Sequence, residues 1–243
     1  MNRFLSLLAL ALIFFAPALA APRVFMIGDS TMANKPLDLP ERGWGMALGA
    51  FLVNPAMVQN HAMNGRSTKS FIDEGRWAKV TGELQPGDFV IIQFAHNDEK
   101  KEDPKRYADP AGGFRDNLRR FIAETRAKGA TPILATPVCR RKFDAAGKLV
   151  DTHGAYPDAV RAVAREEKVA LLDLTAATAK WLAAAGDEPS KPFFMWIAPG
   201  THPKIPDGRK DDTHFTEAGA REVAALAVAQ IRAQKLPLAK WVK

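Results

Sequence analysis

Short, nearly unbroken apolar runs alternate along this chain with longer stretches in which apolar positions recur every three or four residues. The apolar runs cover residues 23–28, 56–60, 88–94, 131–136 and 169–172. Because they are apolar at successive rather than alternate positions, they predict parallel strands buried on both faces. Between them, 113–128 places Phe114, Leu118, Phe121 and Ile122 on one helical face, with Arg115, Arg119 and Arg120 elsewhere. Residues 157–168 carry Pro157 in a first-turn position and a stripe of Val160, Val163 and Ala164. Residues 216–234 open with Thr216 as an N-cap followed by Glu217. Strands alternating with helices predict a three-layer α/β domain around a parallel sheet. Two segments fall outside the pattern. Residues 100–112 read as a polar loop, and 187–212 as a long Pro- and Gly-rich loop carrying Trp196, His202 and Pro203.

The first twenty residues change the picture. Asn2 and Arg3 begin a short basic start, residues 4–15 are almost wholly apolar, and Ala18-Leu19-Ala20 follows. That order predicts a signal peptide over 1–20, cleavage near Ala20 and export to periplasm or medium. The run is too short to favour a membrane span. No linker or repeat divides the rest, so 21–243 is expected to form one domain and to act as a monomer. A single cysteine, Cys139, allows no internal disulfide and, with no evident base, reads as a structural thiol. The net charge of +7 suits an anionic partner. No basic run interleaved with aromatics points to nucleic acid, and no phosphate-cradling glycine loop follows the first strand.

Candidate chemistry clusters at predicted strand ends, where open parallel sheets bind ligands. Gly28-Asp29-Ser30 follows the first strand; alone, a turn serine is the commoner explanation. Near the other terminus stands Asp211-Asp212-Thr213-His214, read as a turn entering the last helix. A serine hydroxyl needs a base, and the base a carboxylate to fix its tautomer. Asp211, three residues before His214, reaches back better than Asp212. After the second strand comes Asn60-His61-Ala62-Met63-Asn64-Gly65-Arg66-Ser67, where Gly65 offers a backbone N–H. After the third comes Ala95-His96-Asn97-Asp98, where Asn97 offers an amide. With the Ser30 N–H these make three donors for an oxyanion.

These four blocks resemble the SGNH (GDSL-type) hydrolase superfamily. The resemblance implies a flavodoxin-like fold with strand order 2-1-3-4-5. It also implies Ser30 as nucleophile, Asp211 and His214 as its partners, and Ser30, Gly65 and Asn97 as the oxyanion hole, with no metal or cofactor. Gly28-Asp29-Ser30-Thr31, Asn64 through Phe71, His96-Asn97-Asp98 and Asp211-x-x-His214-Phe215-Thr216 are similar, more narrowly, to the rhamnogalacturonan acetylesterases. So are residues 136–141 and 149–154. Ala95 departs from the glycine usual there, and its methyl is expected to crowd the approach to Asn97.

The expected substrate is therefore an acetylated anionic polysaccharide or oligosaccharide, most of all pectic rhamnogalacturonan. His96, Arg140, Arg141, the cations of the 100–106 loop and a stacking Trp196 are expected to line its site. Charged and polar loops speak against the lipid-cleaving or thioester-cleaving alternative. An acetylxylan esterase stays open. Five competent residues at the catalytic positions speak against a non-catalytic pectin-binding protein.

Overall fold

The computed structural model describes residues 21–243; the predicted signal peptide lies outside them. The five apolar runs become β1 (Val24–Gly28), β3 (Val58–Asn60), β4 (Phe89–Gln93), β5 (Thr131–Ala135) and β6 (Ala170–Leu172), all parallel neighbours in the order β3-β1-β4-β5-β6. Counted within this sheet the order is 2-1-3-4-5, as the resemblance implies.

Two-sided burial explains why the runs lack alternation. Val24, Met26, Ile91 and Ile133 face one core, shared with α1 (Trp44–Leu48), α6 (Leu174–Ala185) and α8 (Glu217–Ala233). Phe25, Ile27, Val90, Ile92 and Leu134 face a second, shared with α2 (Thr68–Asp73), α3 (Arg76–Glu83), α4 (Gly113–Ala127) and α5 (Tyr156–Glu166). The predicted stripes of α4 and α5 are the faces that bury. The Thr216 side chain caps α8 by accepting from the Gly219 N–H at 3.4 Å.

The 187–212 segment is not the loop the pattern predicts. It holds α7 (Asp187–Ser190), β7 (Phe194–Ile197) and the start of β8 (Arg209–Thr216). With β2 (Glu41–Arg42) these form a small antiparallel sheet, β2-β8-β7. β2 and β8 are polar and leave no apolar run to read, while the apolar run of β7 is four residues long and is masked by the Pro- and Gly-rich stretch around it. Asp211 and His214 therefore lie on a strand rather than on a turn.

The chain leaves β1 for β3 on one side and then crosses to β4 on the other. The three loops that carry the predicted blocks thus emerge together at the carboxyl ends of adjacent strands, at the topological switch. Gly28 makes this closeness possible, because a Cβ there would lie 2.5 Å from the Gln93 carbonyl oxygen.

Candidate active site

Ser30 sits on the tight turn after β1. The Met32 and Ala33 N–H groups both donate to the Asp29 carbonyl, at 3.2 and 3.1 Å. The Thr31 N–H and hydroxyl donate to the Asp29 carboxylate at 2.9 and 2.7 Å. Gln93 and Trp44 extend that chain of buried hydrogen bonds. The turn is held on every side, and Ser30 alone is left facing outward.

Its partner comes from the small sheet. Phe194 pairs with Phe215, but the next residue, Met195, pairs with Asp211, so Asp212, Thr213 and His214 bulge out of the ladder. Bulges re-aim side chains, and this one turns His214 toward β1. His214 Nε2 lies 2.8 Å from Ser30 Oγ, and His214 Nδ1 lies 2.8 Å from Asp211 Oδ2. The other Asp211 oxygen accepts the Thr213 and His214 N–H groups at 2.8 and 3.0 Å. Burial alone would raise the Asp211 carboxyl. The hydrogen bond and charge of His214 and the two backbone donors instead hold it well below the usual carboxylate range.

The second block docks onto the first through the Met63 N–H, which donates to the Gly28 carbonyl at 3.0 Å. Gly65 has φ +75° and open space around it, a backbone that presents its N–H without a side chain in the way. Ser67 and Ser70 form a reciprocal capping box that starts α2. The serines of that motif thus have a structural task. Asn97 is 4 % exposed, and its amide donates to the Arg66 carbonyl at 3.1 Å, tying the third block to the second. Asp98 anchors the same junction by accepting the Thr68 N–H and hydroxyl. Burial pushes Asp98 up to about 8, against the pull of those two bonds. Ala95 is fully buried at φ 138°, a backbone conformation costly for any side chain.

The expected substrate-lining residues divide. His96 is buried, with Nδ1 3.1 Å from Asp29 Oδ2 and its ring edge-on to His153. Burial lowers its pKa, against the opposing pull of Asp29. Arg141 lies below the surface rather than around a cleft. Its backbone N–H and Nε bind Asp212, Nη1 binds Asp187, and the guanidinium lies 4.8 Å from the Trp196 ring centroid. Trp196 Nε1 donates to Asp212 at 2.7 Å and Lys191 caps its ring at 4.4 Å. Together Arg141 and Trp196 clamp the bulge that carries His214, which leaves both side chains engaged with protein. Arg140 is paired with Glu99 and reaches Thr152. Glu99 also holds His153 and, with Tyr107 and Lys101, lines a cleft of about 460 Å³ beside the third block. Cys139 is half-buried, its thiol donating to the Thr175 carbonyl, and burial raises its pKa.

Sequence reasoning passed over Lys35, Glu41 and Arg209. Arg209 contacts both Asp211 and, at 2.8 Å, Glu41; Glu41 binds Lys35. No motif marks them, since they lie outside the four blocks and meet only where β2 pairs with β8.

A family model described as GDSL-like lipase/acylhydrolase matches residues 26–222. Rhamnogalacturonan acetylesterase RhgT of Bacillus subtilis is 42% identical over 217 residues, 89% of this chain and 92% of that protein. The probable rhamnogalacturonan acetylesterase YesY of the same organism is 34% identical over 222 residues, 91% and 98% of the two chains. Among solved structures, protein YxiM of B. subtilis superposes with a TM-score of 0.76 at 28% identity, over 90% of this chain and 58% of that one. An acetylxylan esterase from Geobacillus stearothermophilus, 18% identical with a TM-score of 0.58 over 87% and 94% of the chains, shares the fold. The chain belongs to the GDSL-like lipase/acylhydrolase family.

Proposed function

We propose that this protein is an exported serine esterase that removes acetyl groups from pectic rhamnogalacturonan, with Ser30, His214 and Asp211 as its triad. The observation that carries the reading is the unbroken chain Ser30 Oγ–His214 Nε2–His214 Nδ1–Asp211 Oδ2, with both links at 2.8 Å. A hydroxyl so placed loses its proton to the imidazole as it attacks a carbonyl, and the carboxylate stabilises the imidazolium that forms. The Ser30 and Gly65 N–H groups and the Asn97 amide receive the oxyanion. His214 then returns the proton to the departing sugar hydroxyl, and water, activated by the same imidazole, hydrolyses the acetyl-enzyme. The names of RhgT and YesY support the substrate, as does a net charge of +7 for an anionic polymer. Exposed Lys101 and Lys105 stand on the loop after β4. Export rests on the basic and apolar pattern of residues 1–20.

The test is acetate release from acetylated rhamnogalacturonan, acetylated xylan and acetylated homogalacturonan, beside hydrolysis of a long-chain acyl ester. Rhamnogalacturonan is expected to lead, and Ser30→Ala to lose about 10⁴-fold or more in kcat with an unchanged melting temperature. A preference for the long chain, or an active Ser30→Ala, would overturn the reading.

A further inference from the structure

Lys35 is a buried lysine, its side chain 3% exposed. Its ammonium lies 2.6 Å from Asn64 Oδ1 and 2.5 Å from Glu41 Oε1. Asn64 immediately precedes Gly65. The other Glu41 oxygen takes Arg209 Nη1 at 2.8 Å, and Arg209 Nη2 contacts Asp211 and lies 3.4 Å from His214 Nδ1. Charges therefore alternate from the loop of Gly65 to the pair of Asp211 and His214: Lys35, Glu41, Arg209, Asp211. Burying a lysine is costly unless it is fully paired. This one joins two segments that the chain brings in from separate places, Asn64 in the loop after β3 and Glu41 on β2, and it reaches β8 through Arg209.

We propose that Lys35 is a positioning residue, which holds the Asn64-Gly65 donor loop through Asn64 and, through Glu41 and Arg209, the Asp211–His214 pair. The inference rests on the esterase reading above and goes beyond it, since none of the three residues belongs to the triad or the oxyanion hole. It makes two separable statements. Losing the bond to Asn64 loosens the loop that carries the Gly65 N–H, a donor that matters most in the transition state. That lowers kcat while leaving KM nearly unchanged. Losing the ammonium also leaves Glu41 with Arg209 as its remaining cation. Arg209 is then drawn from Asp211, and the potential at His214 becomes more negative. The groups facing that imidazole are Asp211 and Arg209 from β8 and Glu41 from β2, with Lys35 behind Glu41. A more negative potential favours the imidazolium, so the acidic limb of the pH–rate profile moves to higher pH.

The experiment compares kcat, KM and the pH profile of 4-nitrophenyl acetate hydrolysis for the unaltered protein, Lys35→Met, Lys35→Arg, Lys35→Met/Glu41→Gln and Ser30→Ala. Lys35→Met is expected to lower kcat about tenfold with KM within twofold, and to move the acidic limb up by about half a pH unit. Lys35→Arg, which keeps the charge, should leave the limb in place. In the double variant both charges are gone, so the limb should return toward its original position while kcat stays low. If Lys35→Met folds poorly, Lys35→Gln, which removes the charge but keeps a polar group against Asn64 and Glu41, carries the same comparison and should move the limb up by the same amount. A limb unmoved in Lys35→Met, or a loss confined to KM or to melting temperature, would overturn the proposal while the unaltered protein remains active. An inert unaltered protein, matching Ser30→Ala, would overturn the esterase reading and the proposal with it.

Discussion

The site is built from two regions held by different forces. The nucleophile side hangs on the central sheet. Its strands are buried on both faces, and its turn is fixed by backbone hydrogen bonds and the buried Asp29, Thr31 and Gln93. The base side hangs on a half-exposed antiparallel sheet. There a three-residue bulge is fixed by charged groups: Arg141 on Asp212 and Asp187, Arg209 on Asp211 and Glu41. One half is positioned by burial and by buried hydrogen bonds, which lie beyond the reach of screening by salt. The other is positioned by ion pairs and a cation–aromatic stack, which do not. The lesson is that a triad needs only one rigid wall. The second can be held by adjustable charges, which also set the electrostatics at the imidazole.

Three changes break or sharpen that contrast. The largest effect is expected for Arg141→Met. It removes a guanidinium that is 4% exposed and leaves Asp212 with Trp196 as its side-chain donor. Urea unfolding should show a loss of about 3 kcal/mol, from the charge-assisted hydrogen bonds to Asp212 and Asp187 and the packing on Trp196 that go with the guanidinium. Esterase activity should fall and become more salt-sensitive, because the His214 bulge loses its clamp. Retained activity at every salt concentration would show that the bulge stands without it.

The second change probes the dry side. Asp98 is raised by burial from 3.8 to about 8. A carboxyl whose folded pKa is raised contributes stability that is fully present below its unfolded value, near pH 4, and lost as pH rises toward 8. Asp98→Asn removes that loss. Its stability relative to the unaltered protein should therefore climb between pH 4 and pH 8 and level off above, by about 2 kcal/mol once water entry relieves part of the burial. Denaturant midpoints at pH 5, 7 and 9 measure it, and a flat difference would refute it. His96 works the other way. Burial depresses its pKa, so its contribution is present above about pH 6.5 and declines as pH falls toward 4.

The smallest effect concerns Ala95, buried at φ 138°. Ala95→Gly gives up a buried methyl but relieves the backbone, and the stability read from thermal melting should rise by at most about 1 kcal/mol. A clear loss of stability would mean that packing outweighs strain there.

The apolar runs by themselves determined the five central strands and, through their missing alternation, that both faces are covered. The stripes of α4 and α5 and the Thr216 cap were equally readable, because local periodicity and capping chemistry are written in neighbouring residues. Ser30, Gly65, Asn97, Asp211 and His214 stood out for a related reason: each motif is contiguous, and the four were recognisable as a set. The tertiary structure alone decided the rest. It turned the supposed loop at 187–212 into β7 and part of β8, since a two- or four-residue strand forms only when a partner from a distant segment supplies its hydrogen bonds. It bound the Arg141 and Trp196 side chains to Asp212 of the bulge, because a polar side chain carried below the surface must be paired wherever the fold supplies a partner. It joined Lys35, Glu41 and Arg209, which are up to 174 residues apart, through pairings that no local pattern encodes.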